Sequence, residues 1–171
     1  MISDTDATQY LKMPSLTRYL GVDVRPRSFG FVVIENAVVL DSGIRICDRS
    51  QFDDCLGQRF DRILKTYRPS AMIVRGVRGL PTDSRKRKVM AAIRRKAKDY
   101  DVDVISIGLA AIRIYFGRQN AKTKYQIAKC VATILPELAW KLPRNRRPWE
   151  AEHYRMSIFD AAAATIAHLK L

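Results

Sequence analysis

Apolar and polar positions follow two rhythms along this chain of 171 residues. Between residues 17 and 47 the runs "TRYLGVDV", "FGFVVIEN" and "AVVLDSGIRIC" are short and rich in Val, Ile and Phe, and only brief turns part them. β-Branched and aromatic side chains suit a pleated backbone, and turns this short join antiparallel neighbours, so the runs predict a three-stranded meander. The rhythm then lengthens. Phe52, Leu56, Phe60, Ile63, Leu64 and Tyr67 recur at helical spacing, with Ser50 as a cap. From there strands and helices alternate. "SAMIVRGV" and "DVDVISIG" read as the fourth and fifth strands. Between them "SRKRKVMAAIRRKAKDY" predicts a helix over 84–100, with Thr82, Asp83 or Ser84 as its cap and Val89, Ala92, Ile93 and Ala97 as its buried stripe. "LAAIRIYFG" reads as a short helix or turn, Lys124 to Leu135 as a helix, "PELAWKLPRNRRPW" as irregular, and 157–169 as a further helix.

This order predicts an α/β fold, a mixed sheet with helices on both faces. Residues 1–16 read as a flexible lead-in and 17–171 as a single domain. One position breaks the pattern. Asp23 lies between Val22 and Val24, where an unpaired carboxylate is costly to bury.

Composition adds little to this. Hydrophobic residues make up 47% and charged ones 28%, no apolar run reaches the length of a membrane span, and "MISDTDATQYLKMPS" lacks a signal-peptide core, so a cytoplasmic protein without a membrane partner is expected. Cys47, Cys55 and Cys130 have no metal-binding or disulfide spacing and read as reduced thiols. Charge changes the picture more. Residues 1–66 hold nine Lys/Arg and nine Asp/Glu, whereas residues 67–171 hold 22 and eight, so the whole excess of +14 lies in the later part. Such a field suits nucleic acid. Arg85, Lys86, Arg87, Lys88, Arg94, Arg95, Lys96 and Lys98 crowd the helix 84–100, Arg118 and Lys122 lie in "GRQNAKTK", and Arg144, Arg146 and Arg147 precede an exposed-looking Trp149. Tyr115 and Phe116 are candidates to wedge into or stack on nucleic acid, or else core aromatics.

The segments "LGVDVRPRSFGFVVIE", "AMIVRGV", "VDVISIG", "GRQNAKTKYQIAKCV" and "FDAAAATIAHL" together resemble the RuvC-type Holliday junction resolvases of the ribonuclease H-like superfamily, over about residues 18–170. The YqgF-type relatives are a second candidate, through the strand, Gly-Leu-Pro loop, helix and strand of residues 72–108. The resemblance implies a ribonuclease H-like five-stranded sheet, an antiparallel meander followed by parallel strands. It also implies a homodimer that acts on branched or duplex DNA, and a magnesium (or manganese) site built from acids of the first strand, fourth strand and last helix. Asp23 and Asp160 match two of those ligands, and Lys124 matches the family's lysine near the scissile phosphate. Two positions depart from the pattern. Arg75 replaces the fourth-strand glutamate, and Ser157 replaces the first of two aspartates three apart. Arg75 would repel a metal and is expected beside Asp23 and Asp160 instead. The alternative for Asp23 is pairing with Arg25 or Arg27, or capping the turn.

Glu152 and His153 are candidates to complete the site, with His153 as a general base. A helix begun near Trp149 would align Glu150, His153, Ser157 and Asp160, but at ~1.5 Å rise per residue Glu150 would stand ~15 Å and His153 ~10 Å from Asp160. Only a bend in "RRPWEAEHYRM" brings Glu152 or His153 close. Two functions follow: a magnesium-dependent crossover-junction endodeoxyribonuclease, or a catalytically impaired DNA- or RNA-binding scaffold or partner subunit. Whether a third carboxylate reaches Asp23 and Asp160 separates them.

Overall fold

Alternation along β1 (Arg18–Arg25) organises the molecule. Leu20, Val22 and Val24 enter one apolar core, and Gly21, Asp23 and Arg25 face the opposite side of the sheet. The structure, a computed structural model, describes residues 17–46, 52–76 and 84–171. The expected lead-in 1–16, the Ser50 cap and the cap candidates Thr82 and Asp83 lie outside the described residues, as do the side chains of Arg85 and Lys86.

β1 pairs antiparallel with β2 (Ser28–Glu35), and β2 antiparallel with β3 (Val38–Ile46), which forms the expected meander. Both hairpins turn through two residues: Pro26 and Arg27, then Asn36 and Ala37 at φ 51° and 62°. Positive φ at both central positions gives a twist that matches paired strands. β4 (Ala71–Gly76) and β5 (Asp103–Gly108) add in parallel on the other side of β1. The order is β3-β2-β1-β4-β5, the five-stranded mixed sheet that the resemblance implies, an antiparallel meander followed by parallel strands.

Helices cover both faces. α1 (Phe52–Tyr67) and α2 (Ser84–Asp99) bury Phe60, Ile63, Leu64, Val89 and Ile93 against one face. α3 (Leu109–Gly117), α4 (Lys124–Ile134), a 3₁₀ turn (Pro136–Lys141) and α5 (Met156–Leu169) bury Phe116, Val131, Leu138 and Phe159 against the other. "LAAIRIYFG" is thus a helix, and the expected irregular stretch starts with an ordered turn. Thr123 caps α4: its hydroxyl accepts from the Gln126 N–H while the Gln126 side chain accepts from the Thr123 N–H.

α5 approaches the sheet unusually closely. A Cβ on Gly21 would stand 2.2 Å from Thr165 Oγ1, and one on Gly30 2.4 Å from Ser157 Oγ and 2.5 Å from the Ser157 carbonyl carbon. Neighbouring strands therefore need glycine at these two positions. That contact brings the first turns of α5 onto Asp23.

Candidate functional site

Val22 of β1 lies opposite Val74 of β4 in parallel register, so the next residues along bring Asp23 and Arg75 to the carboxyl ends of adjacent strands. Here the chain reverses its direction of winding through the sheet, which is the usual position for a binding crevice in an open α/β fold. Asp23 is 3% exposed and Asp160 is 9% exposed, so each carboxylate needs partners.

Three cations supply them. Arg25 is the hub: Nε donates to Asp23 Oδ2 at 2.6 Å, Nη1 to Glu152 Oε2 at 2.9 Å and Nη2 to Asp160 Oδ2 at 2.7 Å. Arg75 Nη1 lies 2.6 Å from Asp160 Oδ2 and 3.4 Å from Asp23 Oδ1. Lys124, in the first turn of α4, places Nζ 2.7 Å from Asp160 Oδ2 and 2.5 Å from Glu152 Oε1. Ser157 Oγ donates to Asp23 Oδ2 at 3.0 Å. Three carboxylates thus face three cations, and the cluster sums to zero charge.

Each pKa direction follows from this arrangement. Burial pushes the Asp160 carboxyl up, and the Asp23 charge adds to it, against the pull of Arg75 and Lys124. Burial also pushes the Glu152 carboxyl up, but hydrogen bonds from Lys124 and Arg25 outweigh it and leave the group below its ordinary value. For Arg25 burial disfavours the charge, yet Asp23, Glu152 and Asp160 together raise its pKa above that of a free guanidinium.

This donor set does not fit a divalent metal. Magnesium needs free carboxylate oxygens at ~2.0–2.1 Å in near-octahedral geometry. Here both Asp23 oxygens, both Glu152 oxygens and Asp160 Oδ2 are engaged by guanidinium, ammonium or hydroxyl groups. Among the described residues no group of three or more His, Cys, Asp or Glu is arranged to hold a metal ion. The expected Asp23–Asp160 metal pair is replaced by ion pairs, because Arg25 shares the face of Asp23 two residues along the strand and Arg75 takes the neighbouring strand end.

The segment before α5 does bend back, and Glu152 is the residue that arrives. His153 stays exposed, accepts the Arg155 backbone N–H at Nδ1 (3.2 Å) and stacks on Tyr154 at 4.5 Å between ring centroids, so its Nδ1 is engaged outside the cluster. It lines a neighbouring cleft of about 300 Å³ with Lys124, Tyr125, Arg146 and Glu152.

The basic residues divide in a way the sequence does not show. α2 packs on the sheet face opposite the cluster. It starts at the strand end that carries the cluster, so Arg87 and Lys88 lie near that end, whereas Arg94, Arg95 and Lys98 extend a further ~10–15 Å along the axis. All five are exposed. Lys96 departs from the expectation: it turns toward α1, 3.9 Å from Asp61 and 3.6 Å from Asp99. Arg144 is drawn off too, donating to Glu150 at 2.6 Å. Arg118, Lys122, Arg146 and Arg147 are exposed. Phe116 is fully buried and belongs to the core, and the Tyr115 hydroxyl donates to the Leu171 carbonyl.

No protein-family model and no curated protein sequence matches the chain. Solved structures do. Thermus thermophilus RuvC bound to a Holliday junction substrate superposes with a TM-score of 0.69 at 17% identity, covering 90% of this chain and 92% of the other. A second structure of that protein gives 0.67 at 17% identity, over 90% and 93%. The yeast mitochondrial Holliday junction resolvase gives 0.61 at 12% identity, over 89% and 77%. Sheet order, the layering of the helices and the near-complete coverage agree: this chain has the fold of the RuvC-type resolvases.

Proposed function

We propose that the protein binds branched or duplex DNA on a resolvase fold in which salt bridges take the place of the metal centre, so that binding is separated from metal-dependent cleavage. One observation carries this reading: Arg25 and Arg75 are seated on the carboxylates of Asp23 and Asp160. The net charge of +14 and the exposed cations of α2 and of the loops flanking α4 support the binding half. So does the neighbour solved with a Holliday junction, which has the same fold. A neutral cluster also changes how phosphate is received. Bare acids repel a phosphodiester until cations shield them, whereas three matched pairs present no net charge.

A second reading is favoured by Glu152. It brings a third carboxylate to Asp23 and Asp160 around one guanidinium, as a magnesium-dependent endonuclease would require if the cations were displaced. The homodimer implied by the family resemblance belongs to either reading, as does a cytoplasmic location; no helix among the described residues is long and apolar enough to cross a membrane.

Anisotropy titrations of a labelled four-way junction and a matched duplex, in EDTA, magnesium and manganese, test both readings. The expected result is equal binding with and without metal and no cleavage products. Log affinity should fall with log salt by about 0.9 per phosphate contacted on duplex. Reversing Arg87, Arg94 and Arg95 to Glu should weaken every sequence alike. Metal-dependent cleavage that Asp23→Asn abolishes would overturn the first reading in favour of the second. Affinity that is flat with salt would overturn DNA binding itself.

A further inference from the structure

The segment between the 3₁₀ turn and α5 does more than deliver Glu152. Residues 147–150 form a tight turn in which the Glu150 N–H donates to the Arg147 carbonyl at 3.0 Å. Pro148 occupies the second position, where its fixed φ suits the turn, and Trp149 the third. Glu150 locks the turn from three sides. Its carboxylate accepts from Arg144 Nη2 (2.6 Å) and from the Arg147 N–H (2.8 Å), and its carbonyl accepts from Arg146 Nη1 (2.8 Å). What this framework holds out is an indole, 76% exposed. A rigid, braced turn that presents a large aromatic ring to water is poor economy for folding and good preparation for a ligand.

The chemistry around the ring indicates which ligand. The Arg147 guanidinium lies 5.7 Å from the Trp149 ring centroid. Tyr154, 61% exposed, is stacked by His153 on one side and approached by Arg155 at 5.9 Å. The cleft of about 300 Å³ in this segment is bounded by Lys124, Tyr125, Arg146, Pro148, Glu152 and His153, and it runs up to the ion-paired cluster. Flat exposed rings interleaved with arginines are what a chain of stacked bases and phosphates recognises: each base has a π-face for the ring, and each phosphate an anion for the guanidinium.

We infer that the loop 143–155 is a stacking site for unpaired nucleobases, with Trp149 and Tyr154 as its platforms and Arg146, Arg147 and Arg155 meeting the adjoining phosphates. The inference rests on the DNA-binding reading and narrows it: the preferred ligand carries unpaired nucleotides beside the cluster, as branch points and single-stranded stretches do.

The test uses the full chain with Trp140→Phe, which leaves Trp149 as the sole tryptophan. The probes are an oligothymidylate of about 12 nucleotides, within the ~4–16 such sites cover, and an oligomer of the same length with abasic sites, which keeps the phosphates and lacks the bases. The thymidylate should quench Trp149 fluorescence and the abasic oligomer should not. Trp149→Ala should weaken thymidylate binding by on the order of tenfold, and Tyr154→Ala by a similar factor, with abasic binding unchanged. Both side chains are exposed, so far-UV circular dichroism should match the parent. Equal affinity for the two oligomers, or unaltered thymidylate affinity in Trp149→Ala, overturns the stacking site. Trp149 quenching that rises with protein concentration in the absence of nucleic acid also overturns it, in favour of a protein contact. Junction binding at low salt that survives these outcomes leaves the DNA-binding reading intact; its loss removes both.

Discussion

Removing the Arg25 guanidinium is the sharpest test of the cluster as a structural unit. Arg25→Gln keeps much of the stem and deletes the charge. Its three carboxylate partners are not equally exposed to the loss. Asp160 keeps Arg75 at 2.6 Å and Lys124 at 2.7 Å, and Glu152 keeps Lys124 at 2.5 Å. Asp23 loses its 2.6 Å partner and is left with the Ser157 hydroxyl at 3.0 Å and Arg75 at 3.4 Å. The cost is therefore that of one buried carboxylate stripped of its main cation, about 3–5 kcal/mol where the pair is fully buried. The Arg25 side chain is 31% exposed, so solvent screening reduces this to about 2–3 kcal/mol. For a chain of this size that corresponds to a fall in Tm of roughly 5–10 °C. Urea denaturation at neutral pH measures it, and a cycle with Asp23→Asn identifies its source. With the orphaned charge gone, Arg25→Gln/Asp23→Asn should be more stable than Arg25→Gln alone. Arg25→Gln within about 0.5 kcal/mol of wild type, or an added Asp23→Asn that costs further stability, would refute the reasoning.

Gly30→Ala should destabilise by at least ~2 kcal/mol in urea, because the new Cβ meets Ser157 backbone that cannot move without lifting α5. Glu152 titrates below its ordinary value of 4.5, so its pairs stabilise the fold fully above that pH and lose their effect as pH falls through the lowered folded-state pKa; the Tm gap between wild type and Glu152→Gln should be constant at neutral pH and narrow as the pH falls below the ordinary carboxylate range. Arg75→Glu replaces a cation by a fourth carboxylate, and calorimetric titration with manganese should show tighter binding than to wild type, with the gain lost in Arg75→Glu/Asp160→Asn.

Much of the fold was legible because its signals are local. Short Val- and Ile-rich runs, two-residue turns and the stripe of Val89, Ile93 and Ala97 needed no tertiary knowledge, and Asp23 drew notice as a charge flanked by two valines. The cluster was legible in part. Arg75 was found from its place in the fourth strand, and Arg25 was available by strand alternation, since residues two apart share a face. Its bond to Glu152 was not, because that depends on how residues 142–155 cross the mouth of the site, a path set by Pro143, Pro148 and the Glu150 hydrogen bonds. The separation of the α2 cations from the cluster was hidden for a related reason. Charge counted along the chain does not say which face of a sheet it covers, and Lys96 is drawn off by Asp61 of α1. Tyr154 carried only a weak signal, an aromatic next to a basic residue, which acquires meaning once Trp149 is seen on the same loop.

The close seating of α5 on Gly21 and Gly30 has a consequence for the order in which the molecule is made. Asp23 leaves the ribosome more than a hundred residues before Asp160. Until α5 docks, one face of the β1–β2–β4 sheet lacks its largest cover, and the apolar residues Val32, Ile34 and Ile73 face water. The contacts that close the domain are thus among its longest in sequence, which slows folding and prolongs exposure of strand surface during synthesis. Arg25, already beside Asp23 on the same strand, gives the nascent meander a local counter-charge throughout that interval.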